Sequence, residues 1–128
     1  MSTKTIPEVF VLQPGMACRI VNQPQNYQEI MSSWQFKPAK KGQKLDFAHL
    51  FATQKAEFQK ELVELKSQLQ PNGMIWVSWL KKSSGLTTEV GENDVRNFAI
   101  EIGLVDVKVC AVSDIWSGLK LVIPVAQR

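Results

Sequence analysis

The residues best suited to chemistry in this 128-residue chain cluster in Lys81-Lys82-Ser83-Ser84-Gly85, with Thr87 and Thr88 close behind. Two ammonium groups, two hydroxyls and a glycine that lets the backbone turn could close around an anion, because successive N–H groups in a tight turn form an anion-binding nest. The cluster follows an apolar run at 74–79, and in open α/β sheets ligands gather beyond the carboxyl ends of the strands. A helix starting near Glu92 would add its N-terminal dipole, and Trp79 and Trp116 would be the flanking aromatics. The expected ligand is a phosphate or carboxylate group, as carried by a phosphate-containing metabolite or nucleotide. The plainer alternative is a pair of solvated lysines, a Ser-Ser-Gly turn and two core tryptophans.

Other chemistries have less to stand on. A Ser-His-Asp arrangement would need the single His49 with Ser78 and Asp46 or Asp106, yet no Gly-x-Ser-x-Gly elbow is present and His49 lies mid-strand, where a hydrogen-bonded core histidine is expected. Cys18 and Cys110 sit in apolar strands, where a thiol behaves as a small hydrophobe and ionises reluctantly. Two Cys and one His exclude a four-cysteine zinc site and a disulfide framework. The carboxylates fall mostly on helix surfaces and form no inferable acid/base pair. No catalytic residue, no metal site and no cofactor is therefore expected.

Composition bounds the rest. With 45% hydrophobic and 21% charged residues, the chain can bury one core, so a single α/β domain over 1–128 with an N-terminal arm at 1–15 is expected. No apolar run approaches the roughly 18 residues that cross a bilayer, and Pro7 and Pro14 interrupt the first segment, so neither a membrane span nor a signal peptide is read and the cytoplasm is the expected location. The net charge of +3 is mild, and only Arg19, Arg96 and Arg128 are arginines, which gives nucleic-acid binding no support. A basic stretch holding Lys37, Lys40, Lys41 and Lys44 reads as a solvated connection or irregular crossover.

Those residues need elements to position them. Residues 16–21 read as a strand closed by the loop Asn22-Gln23-Pro24-Gln25-Asn26, and Tyr27, Ile30, Met31 and Trp34 share one face of a helix over 27–34. Residues 45–52 form a nearly continuous apolar strand, as in a sheet covered on both faces. Thr53 is set to cap a long helix running to about Gln70, with Phe58, Leu62, Leu65 and Leu69 as its buried stripe. Pro71-Asn72-Gly73 would stop it before the strand from Met74. Gly91 caps a second helix, buried through Val95, Phe98, Ala99 and Ile102, and Gly103 ends it in left-handed geometry. A strand at 104–112, in which Asp106, Lys108 and Cys110 alternate with valines, then turns at Ser113-Asp114 into an antiparallel partner at 115–125.

Strand and helix alternate and a hairpin closes the chain, which predicts a three-layer Rossmann-like α/β fold with a mostly parallel sheet and an antiparallel C-terminal end. Leu69-Gln70-Pro71-Asn72-Gly73-Met74-Ile75-Trp76-Val77 resembles the segment of S-adenosylmethionine-dependent methyltransferases that joins the helix after the fourth strand to the fifth. Three blocks, Ile75 to Gly85, Gly103 to Val112 and Trp116 to Val122, resemble a family of small bacterial proteins classed only as a domain of unknown function. Leu80 departs from that pattern where proline is usual, and Gly91 where a threonine cap is usual. What these resemblances imply is a truncated methyltransferase-like domain.

The implied cofactor chemistry meets an obstacle in the residues. That fold approaches its cofactor through a glycine-rich turn after the first strand, but the loop at 22–26 has no glycine. It also holds the ribose with an acidic residue after a second strand, yet between Tyr27 and Lys44 no second strand is legible and Glu29 is the only carboxylate. The favoured function is therefore a non-catalytic interaction or regulatory module that has lost the cofactor turn. The alternatives are a binder of a phosphate-containing ligand at the 81–85 loop and, behind both, a degenerate methyltransferase. The expected partner is a protein or a small anionic ligand, and an open sheet edge leaves room for self-association.

Overall fold

The computed structural model describes residues 4–128, so residues 1–3 of the expected N-terminal arm lie outside it. Six strands form one sheet in the order β2-β1-β3-β4-β6-β5. They are β1 (Ala17–Val21), β2 (Lys37–Pro38), β3 (Leu45–Ala52), β4 (Leu69–Leu80), β5 (Val105–Ala111) and β6 (Trp116–Val122). β2, β1, β3 and β4 run parallel, whereas β6 is antiparallel to both β4 and β5. The predicted architecture is thus present, with a second strand that two residues were too few to announce.

Helices cover both faces. On one lie α3 (Lys55–Gln68) and α4 (Glu92–Glu101), whose Phe58, Leu62, Leu65, Val95 and Ala99 are buried against Leu50, Val77 and Leu119 of the sheet. Each such leucine contributes roughly 1.5–3 kcal/mol by leaving water. On the other lie the single-turn helices α1 (Ile6–Val9) and α2 (Tyr27–Ile30), together with Phe10 and Met31. Phe10 stacks on Trp76 with ring centroids 3.9 Å apart, which fixes the arm to the sheet. No helix among the described residues is long and apolar enough to cross a membrane.

Several boundaries differ from expectation for identifiable reasons. The helix at 27–34 closes after Ile30 because Ser32 and Ser33 both take positive φ, yet Tyr27, Ile30, Met31 and Trp34 still pack in one cluster. Gln54, not Thr53, is the N-cap of α3, and the helix stops at Gln68, where β4 starts without a loop. Residues 70–73 bulge out of β4, since Leu45 pairs with Leu69 but Phe47 already pairs with Met74. Glycine is needed in that bulge because a Cβ on Gly73 would stand 2.7 Å from the Leu45 carbonyl oxygen.

The 104–112 strand is an edge strand, and its simple alternation is broken. Asp106 pairs with Leu121 but Lys108 pairs with Lys120, so Val107 is an extra residue in a bulge. Asp106 consequently lies on the α4 face, where it accepts a hydrogen bond from Arg96 Nε at 3.1 Å, while Lys108 lies on the opposite face.

Candidate functional site

A cavity of about 630 Å³ opens at the carboxyl end of β4 between that strand and the N-terminus of α4. Trp79, Lys81 and Lys82 line it with Thr88, Ser117 and residues 89–94. The topology explains the meeting: β4 delivers its last residues to the same end of the sheet from which α4 departs. The lysines face three carboxylates there, each already engaged. Glu89 accepts the Lys55 backbone N–H at 3.0 Å, Glu92 pairs with Arg96 at 2.6 Å, and Asp94 accepts the Gly91 N–H at 2.9 Å. Neither Lys81 nor Lys82 joins a salt bridge among the described residues.

The rest of the predicted cluster is not gathered around that cavity. Residues Lys82–Ser84 form a 3-10 turn that Gly85 closes at φ 73°. The Ser84 and Gly85 N–H groups donate back to the Lys81 and Lys82 carbonyls, at 3.0 and 3.2 Å. Ser84 Oγ donates to the Lys81 carbonyl at 2.7 Å and accepts the Leu86 N–H at 3.2 Å. A nest requires free N–H groups, so Ser84 and Gly85 are turn residues here, and Ser83 and Thr87 are exposed beside them. Trp116 corrects the aromatic pair. β6 directs it to the α1/α2 face, edge-on to Phe51 at 4.9 Å, whereas Trp79 packs on the α3/α4 face.

A second crevice lies between β1 and β3, where the connections leave the sheet in opposite directions and an α/β fold puts its ligand. Its residues do not fit S-adenosylmethionine. The loop after β1 is Asn22-Gln23-Pro24-Gln25-Asn26, without glycine, and Asn22 itself occupies the left-handed region at φ 58°. Its side-chain amide donates to Glu57 in the first turn of α3, tying the two lips of the crevice together. After β2 come Ala39, Lys40 and Lys41, so cations stand where a ribose-binding carboxylate would be required.

The structure also brings His49 and Ser78 together and adds Tyr27, which the sequence did not connect to them. His49 is fully buried between Tyr27 and Ser78, with Nδ1 2.9 Å from the tyrosine hydroxyl and Nε2 2.7 Å from Ser78 Oγ. Burial lowers the imidazole pKa to about 3, so the ring is neutral at any physiological pH. Ser78 is also fully buried and no carboxylate orients the ring, which makes this a satisfied core network and not a nucleophile with its base. Burial pushes the Cys18 thiol up to about 11 and raises that of Cys110. Among the described residues no group of three or more His, Cys, Asp or Glu could hold a metal ion.

Solved structures share this architecture at low sequence identity. The magnesium protoporphyrin IX methyltransferase ChlM from Synechocystis PCC 6803, solved with bound SAM, matches with a TM-score of 0.62 and 13% identity over 91% of this chain and 74% of its own. A SAM-dependent methyltransferase from Aquifex aeolicus matches at 0.58 and 16% identity, over 93% of this chain and 88% of its own. The ribosomal protein L11 methylase from Lactobacillus delbrueckii subsp. bulgaricus matches at 0.58 and 12% identity, over 89% and 72%. These likenesses establish a methyltransferase-like fold. No curated protein matches the sequence. A family model described as a protein of unknown function, DUF3052, matches residues 45–125, and the chain belongs to that family.

Proposed function

We propose that this chain is a non-catalytic interaction or regulatory module built on a methyltransferase-like sheet. The observation that carries the reading is the crevice between β1 and β3, where the Asn22–Glu57 hydrogen bond, the glycine-free loop and the lysines after β2 replace the features that hold S-adenosylmethionine. Thermal unfolding of the purified chain tests it. A ligand at ~100 times its dissociation constant stabilises by about 2.7 kcal/mol, a shift of several degrees in a domain of this size. No shift is expected with S-adenosylmethionine or S-adenosylhomocysteine, and a saturable shift with either would overturn the reading and restore an enzyme.

A second reading is favoured by the cavity at the end of β4. Trp79, Lys81 and Lys82 bound it beside the N-terminus of α4, and neither ammonium group joins a salt bridge among the described residues, which supports the binding of a phosphate-bearing metabolite or nucleotide there. This reading expects a salt-sensitive thermal shift with ADP that disappears in Lys81→Gln/Lys82→Gln. Equal shifts in the wild type and the double variant would remove it.

A further inference from the structure

The connection from β2 to β3 builds a separate concave site. Six residues, 39–44, must carry the chain back across the sheet, and Ala39 packs into the α3/α4 side of the core on the way. Lys40 and Gln43 then bond to each other twice, backbone N–H to carbonyl and backbone N–H to side-chain amide, both at 2.9 Å, with Gly42 at φ 80° inside the turn. That turn sets Lys41 and Lys44 beside a cavity of about 340 Å³, completed by Ser67 and Gln68 at the end of α3 and by Arg19 from β1.

The charge lining this cleft is of one sign. No carboxylate lines it, and the carboxylate nearest in sequence, Asp46, is held by the Ala17 amide at 2.9 Å. Arg19 Nη1 donates to Gln68 Oε1 at 2.6 Å, which orients the guanidinium and leaves most of its N–H groups without a protein acceptor. Lys44 Nζ donates to the Ser67 carbonyl at 3.2 Å, so the last turn of α3 fixes it in place. Lys41 has no partner among the described residues, and both ion pairs found there belong to Arg96. Three cations around one cavity that no carboxylate lines give it a positive potential that attracts an anion.

We propose that this cleft binds a phosphate-bearing small molecule carrying two or more negative charges. Arg19 offers it a planar fork and Lys41 and Lys44 offer point charges. The concave shape and volume suit a small molecule, and the absence of any aromatic side chain in its lining removes the stacking platform that a single nucleic-acid strand would use. The site is independent of the Lys81 and Lys82 cavity, which shares none of its lining residues.

The test is a titration of the isotopically labelled full chain with inorganic pyrophosphate, at ionic strength held constant with sodium chloride and followed by amide resonances. Saturable shifts centred on residue 19, residues 41–44 and residue 68 are expected, together with a rise in melting temperature. Lys41→Gln should weaken binding about tenfold, as loss of one charge-assisted hydrogen bond does. Without ligand it should melt no lower than the wild type, because it removes a repelling charge and no contact. Arg19→Lys, which keeps the charge and loses the fork, should weaken binding as well. The proposal fails if the shifts do not saturate, if sodium chloride alone reproduces them, or if Lys41→Gln binds as tightly as the wild type. Shifts centred on 81–85 instead would also overturn it, while supporting the site at the end of β4.

Discussion

Lowering the pH from 7 to 5 should cost this protein about 2 kcal/mol of stability through His49 alone. The chain has one histidine, and no other side-chain type ordinarily titrates in that window. In the unfolded chain the imidazole takes up a proton around pH 6.5, whereas burial between Tyr27 and Ser78 delays that event to about pH 3 in the folded protein. The folded value is therefore depressed: the stability is fully present above pH 6.5 and is lost progressively as the pH falls toward 3. At pH 5 the gap from the unfolded value is about 1.5 units, which at 1.36 kcal/mol each gives the stated loss. Urea unfolding at pH 7, 6 and 5 measures it directly, with the slope approaching about 1.4 kcal/mol per pH unit at the acid end. His49→Gln, which cannot take up the proton, should lie lower at pH 7 and show a flat profile. A wild-type stability unchanged between pH 7 and 5, or a His49→Gln variant with the wild-type slope, would refute the argument by showing that the folded ring accepts its proton or that another group is responsible.

Three further outcomes rest on local geometry. Val11 is a β-branched residue at φ 59° and is 60% exposed, so Val11→Gly should stabilise by about 1 kcal/mol; calorimetry showing a loss instead would mean the valine side chain contributes more than its backbone strain costs. Gly73→Ala should destabilise by roughly 3 kcal/mol or more, because the new methyl would meet the Leu45 carbonyl oxygen at 2.7 Å and backbone must move; a variant within experimental error of the wild type in denaturant melts would contradict the bulge geometry. Ser78→Ala removes the partner of His49 Nε2 and should cost about 1–3 kcal/mol in denaturant melts. A neutral Ser78→Ala would show that the imidazole finds another partner.

Long periodic elements were legible because their burial repeats with the period of the element. Phe58, Leu62 and Leu65 mark α3, Val95 and Ala99 mark α4, and the left-handed Gly103 ends the latter as its sequence suggests. What escaped was whatever depends on register or on a partner far along the chain. β2 has two residues and is defined only by pairing with Ala17 and Cys18. The bulge at Val107 shifts Asp106 and Lys108 to opposite faces, which a period of two cannot reveal. In the candidate site, Trp79, Lys81 and Lys82 followed from the rule that strands deliver residues to their carboxyl ends. Trp116 did not follow, because its face is set by antiparallel register with β4, and the Ser84 hydroxyl bonding its own turn decided against a nest. The cleft of Arg19, Lys41 and Lys44 was half visible as a basic stretch, but the arginine joins it only through the crossover.

The position of β6 between β4 and β5 bears on how the protein is made on the ribosome. β5 is synthesised before β6, yet it reaches the sheet only by pairing with β6, which also supplies Leu119 and Leu121 to the core beside α4. Until residues 116–122 leave the exit tunnel, the nascent chain therefore carries β4 with one side unpaired, the inner face of α4 uncovered and β5 without a neighbour. Helices and parallel strands can begin to assemble as they emerge, but closure of the core waits for β6. Chains that stall or are truncated before residue 116 would present an open strand edge and apolar surface together, the combination that chaperones and proteases recognise.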